Sequence, residues 1–317
     1  MRSFMANVVL GALLFGSTGA LAQTPAPKVV VTIKPVHSLV SQVMGDTGTP
    51  SLIVSGAASP HSYALKPSDA KMLADADLVF RVSEAVEPFT AKALKNLKKG
   101  AVVSLLDAPG MGLLKARNDP NFEEHAHAKA DRHGHDHDHG KSESAIDGHV
   151  WLDPANAAVM VDHIAERLAA KDPSRAATYK ANAAQAKQRI GDLALELEAS
   201  LKPVAGRPYV VFHDAYQYFE ARFGLTPVGA VTINPEVPPS GKRLATLRDK
   251  IAKLGASCIF SEPNFEAKVV QVVAEGSKAR SAQLDPEAAT LQPGPDLYAM
   301  LLRNMAQSMR TCLLPAS

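Results

Sequence analysis

Four histidines and two aspartates fall within the eight residues "HGHDHDHG" at 133–140, inside a longer run that opens with "EEHAHAKADR" at Glu123. Imidazole and carboxylate at this density hold transition-metal ions. The six histidines His125, His127, His133, His135, His137 and His139 alternate with Ala, Gly and Asp, so they can chelate in many ways and fix no single geometry. Residues 123–144 also lack apolar periodicity and large apolar side chains, and a segment that cannot bury a core reads as a loop. Ordering such a loop at each binding event weakens it relative to a rigid site. The expected role is an auxiliary metal collector or sensor, fast and weak, that feeds a better-built site elsewhere. Since histidine titrates near neutrality, metal uptake by this run is expected to fall as pH drops below about 6.5. Metal stoichiometry measured between about pH 5.5 and 7.5 checks this, and a flat profile contradicts it.

Five histidines lie outside the run: His37, His61, His149, His163 and His213. His61 follows the apolar run "SLIVSG", and His213 ends "YVVFH". His149 stands in "IDGHVWLDP", directly after the histidine-rich run, and Asp285 follows "SAQL". Open α/β sheets bind ligands beyond the carboxyl ends of their strands, where His61, His213 and Asp285 are expected. Two ligands from each half would close a four-coordinate metal site in a cleft. Each residue also has a plainer reading: a satisfied polar residue at a strand end, or, for Asp285 before Pro286, a turn or cap. His37 sits at a helix start and His163 within the helical "AAVMVDHIAERLAA", which suits structural or surface roles.

The elements that must position these residues alternate. "KVVVTI", "SLIVSG", "DLVFRV" and "AVVSLL" read as strands, separated by the helical "VHSLVSQVM", "AKMLADA" and "EPFTAKALKNL". Strand and helix in alternation imply a mostly parallel four-stranded sheet covered by helices, a first α/β lobe over 28–150. The pattern restarts at "RPYVVFH" and continues through "TPVGAVTI", "SCIFSE" and "SAQLD", a second α/β lobe over 206–317. Residues 151–205 connect the two. Within that segment Tyr179, Ala183, Ala186, Ile190, Leu193, Leu197 and Leu201 form one apolar stripe, which predicts a long helix over about 173–201, on the order of 40 Å. Two lobes joined by one long helix suit holding a ligand in the cleft with modest rearrangement on binding.

The opening residues read as a secretory signal: Arg2, an apolar stretch from Met5 to Phe15, and Ala20-Leu21-Ala22 as the cleavage pattern after which 1–22 would be removed. An N-terminal anchor is the rival, but the stretch is short for a membrane span. Lys+Arg 34 against Asp+Glu 32 leaves +2, and aromatics make up 5%, so neither charge nor stacking residues point to nucleic acid. Cys258 and Cys312 form an even pair, which in an exported chain reads as a disulfide. Closing that loop would contribute roughly 3–4 kcal/mol, and two free buried thiols are the alternative.

Taken together, "GAASPHSYALKPSD", the histidine-rich run, "HVWLDP", "FHDAYQYFEARFGLTPVGAVTINPE", "CIFSEPNF" and "LDP" resemble the ZnuA-type zinc-binding proteins, the exported solute-binding components of ABC importers. The resemblance spreads over nearly the whole chain, and "FHDAYQYFE" followed by "INPE" is its most specific part. It implies a periplasmic monomer with His61, His149 and His213 as zinc ligands, and an inner-membrane permease and its ATPase as partners. It also implies a fourth position filled by a carboxylate or water, for which Asp285 is the matching acid. Some relatives carry Glu just before the first ligand histidine; here that position is Pro60. The fourth ligand is therefore Asp285, water or a histidine of the run. Three imidazoles suit Zn²⁺ better than Mn²⁺, which prefers oxygen, while affinity order alone does not reject Cu²⁺ or Ni²⁺.

Three competing readings stand beside the carrier. A manganese carrier would take Glu where His213 stands. An exported zinc buffer or adhesin would work without a transporter. A zinc hydrolase would need a general base and an open pocket, with Glu262 and Asp214 as the nearby acids; their plainer roles are helix capping and orientation of a ligand histidine. The expectation is a binding protein, not an enzyme. No G-x-x-x-x-G-K-[ST] occurs, so the energy for transport must come from a partner.

Overall fold

The computed structural model describes residues 25–95, 97–98, 100–122, 145–265 and 267–315. The signal segment and the histidine-rich run, with His125, His127, His133, His135, His137 and His139, lie outside the described residues. The first lobe is a parallel sheet of β1 (Val29–Val31), β2 (Ser51–Leu52), β3 (Leu78–Arg81) and β4 (Val102–Ser104) in the order β2-β1-β3-β4. Helices α1 (Lys34–Met44), α2 (Pro67–Ala74) and the short α3 (Thr90–Ala93) connect them. The β-branched run of β1 is buried on both faces, as a central parallel strand requires.

The second lobe repeats the plan. Strands β5 (Pro208–His213), β6 (Thr226–Thr232), β7 (Cys258–Ser261) and β8 (Arg280–Gln283) pair in parallel in the order β6-β5-β7-β8. Helices α6 (Gln217–Phe223), α7 (Gly241–Leu254), α8 (Ala267–Ala274) and α9 (Leu297–Leu313) cover it. In each sheet the first strand of its lobe is an inner strand, so the chain reverses its direction of growth there. That switch point opens a crevice at the strands' carboxyl ends.

Between the lobes run α4 (Pro154–Lys171) and α5 (Ala176–Leu201). Proline at 173 and the cluster around Asp172, which accepts from Ser174 Oγ, Arg175 Nη1 and Tyr179 Oη, form a 3₁₀ turn before α5 begins. The helix is thus three residues shorter at its start than its apolar pattern suggests. The seven stripe residues from Tyr179 to Leu201 are the buried residues of α5. They pack against α4, α1 and α9, so α5 is one member of a helical layer and not an isolated strut. One continuous core runs from Val31 and Leu39 through Trp151, Ile164 and Leu193 to Tyr209, Phe260 and Leu302. Two lobes that share a core cannot swing apart without exposing it, which favours small movements over wide hinge opening. Cys258, at the start of β7, is disulfide-bonded to Cys312 near the end of α9, with Cα atoms 6.0 Å apart. Among the described residues no helix is long and apolar enough to cross a membrane.

Candidate metal centre

His213 is the last residue of β5, an inner strand, and is completely buried. His61 lies on the loop after β2, where its backbone N–H donates to Ser59 Oγ. His149 directly precedes the 3₁₀ turn Val150–Leu152. The three rings meet at the crevice, with centroids 5.5, 5.6 and 5.4 Å apart, and one ring nitrogen of each lies within 4.8 Å of the others.

Each buried imidazole is held from behind. His213 Nδ1 lies 2.7 Å from both oxygens of Glu262, whose Oε1 also accepts from Tyr216 Oη at 2.9 Å. His149 Nδ1 lies 2.8 Å from Asp147 Oδ1, which accepts the His149 backbone N–H as well. A carboxylate on Nδ1 makes that nitrogen the donor, so Nε2 presents its lone pair forward. His213 Nε2 is buried without a hydrogen-bond partner among the described residues, and His149 Nε2 faces His61 Nε2 at 3.4 Å. Burial first, then the two neighbouring imidazoles, press His61 down to about 2, so its ring stays uncharged across neutral pH. Lone pairs converging in this way repel one another unless a cation sits between them. With Zn–N distances of about 2.0–2.1 Å, the edges of a tetrahedral zinc site are about 3.3–3.4 Å. The observed 3.4 Å between two Nε2 atoms fits one such edge.

The approach of these residues depends on a tight contact at Gly148. A Cβ there would fall 2.5 Å from Val86 Cγ2 and 3.2 Å from Ser83 Oγ, so only glycine lets the His149 segment reach the first lobe. On its other side this segment pairs with residues 114–116: Asp147 N donates to Leu114 O, Ala116 N to Ala145 O, and Lys115 bridges Ile146. Both flanks of the histidine-rich run therefore meet beside His149. Arg117 then reaches the second lobe, donating to Asp214 at 2.7 Å and to Glu220 at 2.8 Å. His37 is used differently, with Nε2 bonded to the Pro50 carbonyl.

Asp285 has another task than the expected one. Its Oδ1 accepts Ala289 N at 2.9 Å, and its Oδ2 accepts Thr290 N at 3.1 Å and Thr290 Oγ1 at 3.0 Å. A carboxylate that caps two backbone amides and a hydroxyl has its lone pairs committed, which is the cap role that Asp before Pro often takes. The acid beside His61 is Glu287, with Oε1 3.6 Å from His61 Nε2. Burial above all, then the carboxylates of Glu262 and Asp285, hold the Glu287 carboxyl well above the usual range. Of the two acids weighed as hydrolytic bases, Glu262 is bound behind His213 and Asp214 is bound to Arg117. The roles of Glu287, Asp147 and Arg117 have no signature in the residues around them.

Comparison with known proteins identifies the family of the chain. A family model described as "ZnuA: Zinc-uptake complex component A periplasmic" matches residues 29–312. The chain is 45% identical to the high-affinity zinc uptake system protein ZnuA of Brucella abortus, with 99% of each chain covered. It is 42% identical to the protein of that name from Paracoccus denitrificans, covering 97% of this chain and 98% of that one. Among solved structures, a ZnuA crystal structure superposes with a TM-score of 0.72 at 24% identity over 91% of this chain and 100% of that one. The laminin-binding adhesin Lmb of Streptococcus agalactiae gives 0.74 at 24% identity, covering 91% of this chain and 100% of that one. These two likenesses establish the two-lobed α/β fold. With the family match spanning nearly all of its length, the chain belongs to the ZnuA family.

Proposed function

We propose that this protein captures zinc in the periplasm through His61, His149 and His213, and hands it to an ABC-type inner-membrane permease powered by its ATPase. The observation that carries the reading is the convergence of three Nε2 atoms at the crevice, two of them pinned from behind by Asp147 and Glu262. Imidazole nitrogens in a fixed frame bind borderline Zn²⁺ well. The names carried by its relatives, high-affinity zinc uptake proteins, support zinc as the cargo. The chain acts as a binding protein, not as an enzyme, and works as a monomer. His61 keeps 13% of its side chain exposed against 9% for His149 and none for His213, so metal arrives and leaves on the His61 side. The histidine-rich run serves as the auxiliary collector.

The test is a zinc titration against a competing chelator, using protein that lacks residues 125–139. One tight site per chain is expected to survive. Loss of tight binding would mean that the run supplies a ligand, and the crevice reading would fall. In cells, deletion of the protein is expected to give a growth defect under zinc chelation that added zinc repairs. Growth indifferent to zinc would sink the transport role.

A further inference from the structure

Three histidines fill three corners of a tetrahedron, and the acid that stands beside His61 is not the aspartate that the "LDP" stretch suggests. Glu287 Oε1 is buried and has no hydrogen-bond partner among the described residues, while Oε2 is held by Asn264 Nδ2 at 2.9 Å. Leaving a carboxylate oxygen buried and unpaired is costly. Its separation of 3.6 Å from His61 Nε2 is close to the tetrahedral zinc edge of about 3.3–3.4 Å.

The turn that presents this side chain is held from every direction. Ala288 has a φ of +57°, a left-handed conformation that an L-residue adopts only when its surroundings force it. Lys34 of α1 donates Nζ to the carbonyls of Ala288, Ala289 and Leu291 at 3.0, 2.8 and 3.0 Å. Trp151 Nε1 donates to Pro286 O at 2.9 Å, and the Asp285 carboxylate caps Ala289 and Thr290. A turn of the second lobe is thus locked by the first lobe and by the segment that carries His149. Strained backbone fixed this firmly, carrying an unsatisfied buried acid, is the pattern of a ligand-presenting loop.

From this geometry we infer that Glu287 is the fourth metal-binding group, supplying one carboxylate oxygen to an ion held by His61, His149 and His213. The inference rests on the crevice reading above and deepens it. The donor set becomes three neutral nitrogens and one anionic oxygen, which lowers the net charge of bound zinc from +2 to +1 in a buried place. Asp285, Lys34 and Asn264 are positioning residues for that oxygen.

The test uses the full mature chain and compares wild type with Glu287→Gln and His61→Ala. Zn²⁺ affinity is read by chelator competition, the Co²⁺ form by its visible absorption, and the metal-free form by denaturation. Glu287→Gln is expected to weaken zinc by about 10- to 100-fold, in the range seen when partners of metal ligands are removed. The same change should leave the metal-free protein as stable as wild type or more so, because a neutral amide of the same shape replaces a buried acid. The Co²⁺ spectrum should change, since one oxygen donor is lost. Opposite signs on affinity and stability are what a merely structural role would not give. Wild-type affinity and an unaltered Co²⁺ spectrum in Glu287→Gln, with His61→Ala impaired, would overturn the assignment of Glu287 alone. Wild-type affinity in His61→Ala would instead remove the crevice reading on which it rests. Glu287→Asp, which keeps the charge and shortens the reach, is expected to fall between the two.

Discussion

His213→Ala is expected to lose zinc affinity by on the order of 100-fold. Binding free energies of about 10–16 kcal/mol at protein zinc sites, shared among four ligands, come to about 3 kcal/mol each. At about 1.4 kcal/mol per factor of ten, that is roughly two decades. The variant should also lose stability without metal. Glu262 lies 3% exposed with both oxygens on His213 Nδ1, so deletion of the ring leaves Tyr216 Oη and the backbone N–H of residue 213, both on Oε1, as its donors among the described residues. A buried acceptor stripped of its partner costs about 1–3 kcal/mol. Chelator competition reads the first loss and denaturation of the metal-free protein reads the second. Pairing His213→Ala with Glu262→Leu separates them: stability should recover in part, because both polar partners have gone, while zinc affinity should not. Zinc binding at wild-type strength in His213→Ala would sink the crevice site outright.

Much of this arrangement is legible in the order of the residues. His213 closes a β-branched and aromatic run, and the rule for open α/β sheets then places it at the crevice. His61 follows from the same logic, His149 from its place in "HVWLDP", and the apolar stripe of α5 needs only its period. Other parts depend on contacts distant in sequence. Glu262 meets His213 across 49 residues, and as an isolated acid near "SEPNF" it looks as much like a base as like a support. Glu287 stands two residues from Asp285, and composition does not tell which of two acids in "LDPEA" turns inward. The answer comes from Lys34, some 250 residues earlier, which sets the backbone of the turn. Asp285 looks like the fourth donor by position, yet its short side chain serves its own backbone, a local bond that Asp before a turn makes readily. The lobes' shared core likewise exceeds what one linking helix predicts. The stripe tells which face of α5 is buried, not that α1, α4 and α9 all lie against it.

Arg117→Ala is expected to destabilise the protein by about 3–5 kcal/mol, the range for removing one partner of a buried ion pair. The guanidinium stands 4.1 Å over the Phe122 ring and pairs with two acids at once, Asp214 and Glu220, whose side chains are 5% and 2% exposed. Glu220 has one further donor, Tyr209 Oη at 3.3 Å. Even with the arginine present, burial outweighs its attraction and lifts the Glu220 carboxyl to about 7. Its carboxyl in the unfolded chain titrates near about 4.3. An acid raised on folding binds protons better in the native state, so the stability it leaves the protein is greatest below the unfolded value and declines as pH rises toward about 7. Loss of the cation raises this carboxyl further and stretches that decline to higher pH. The deficit of Arg117→Ala should therefore be smaller at about pH 5, where the acid holds a proton at little cost, than at about pH 8, where it must either hold a proton against the solvent or ionise without its cation. Urea denaturation of both proteins at the two pH values measures this. Equal deficits at both, or a loss under about 1 kcal/mol, would show that the pair does not bind the strap of residues 114–117 to the second lobe. The consequence reaches the metal centre through the backbone: the strap that Arg117 ties down carries Leu114, whose carbonyl holds Asp147, which in turn holds His149. Zinc saturation should accordingly restore part of the lost stability, since an ion shared by His149 and His213 ties the same two elements together from the other side.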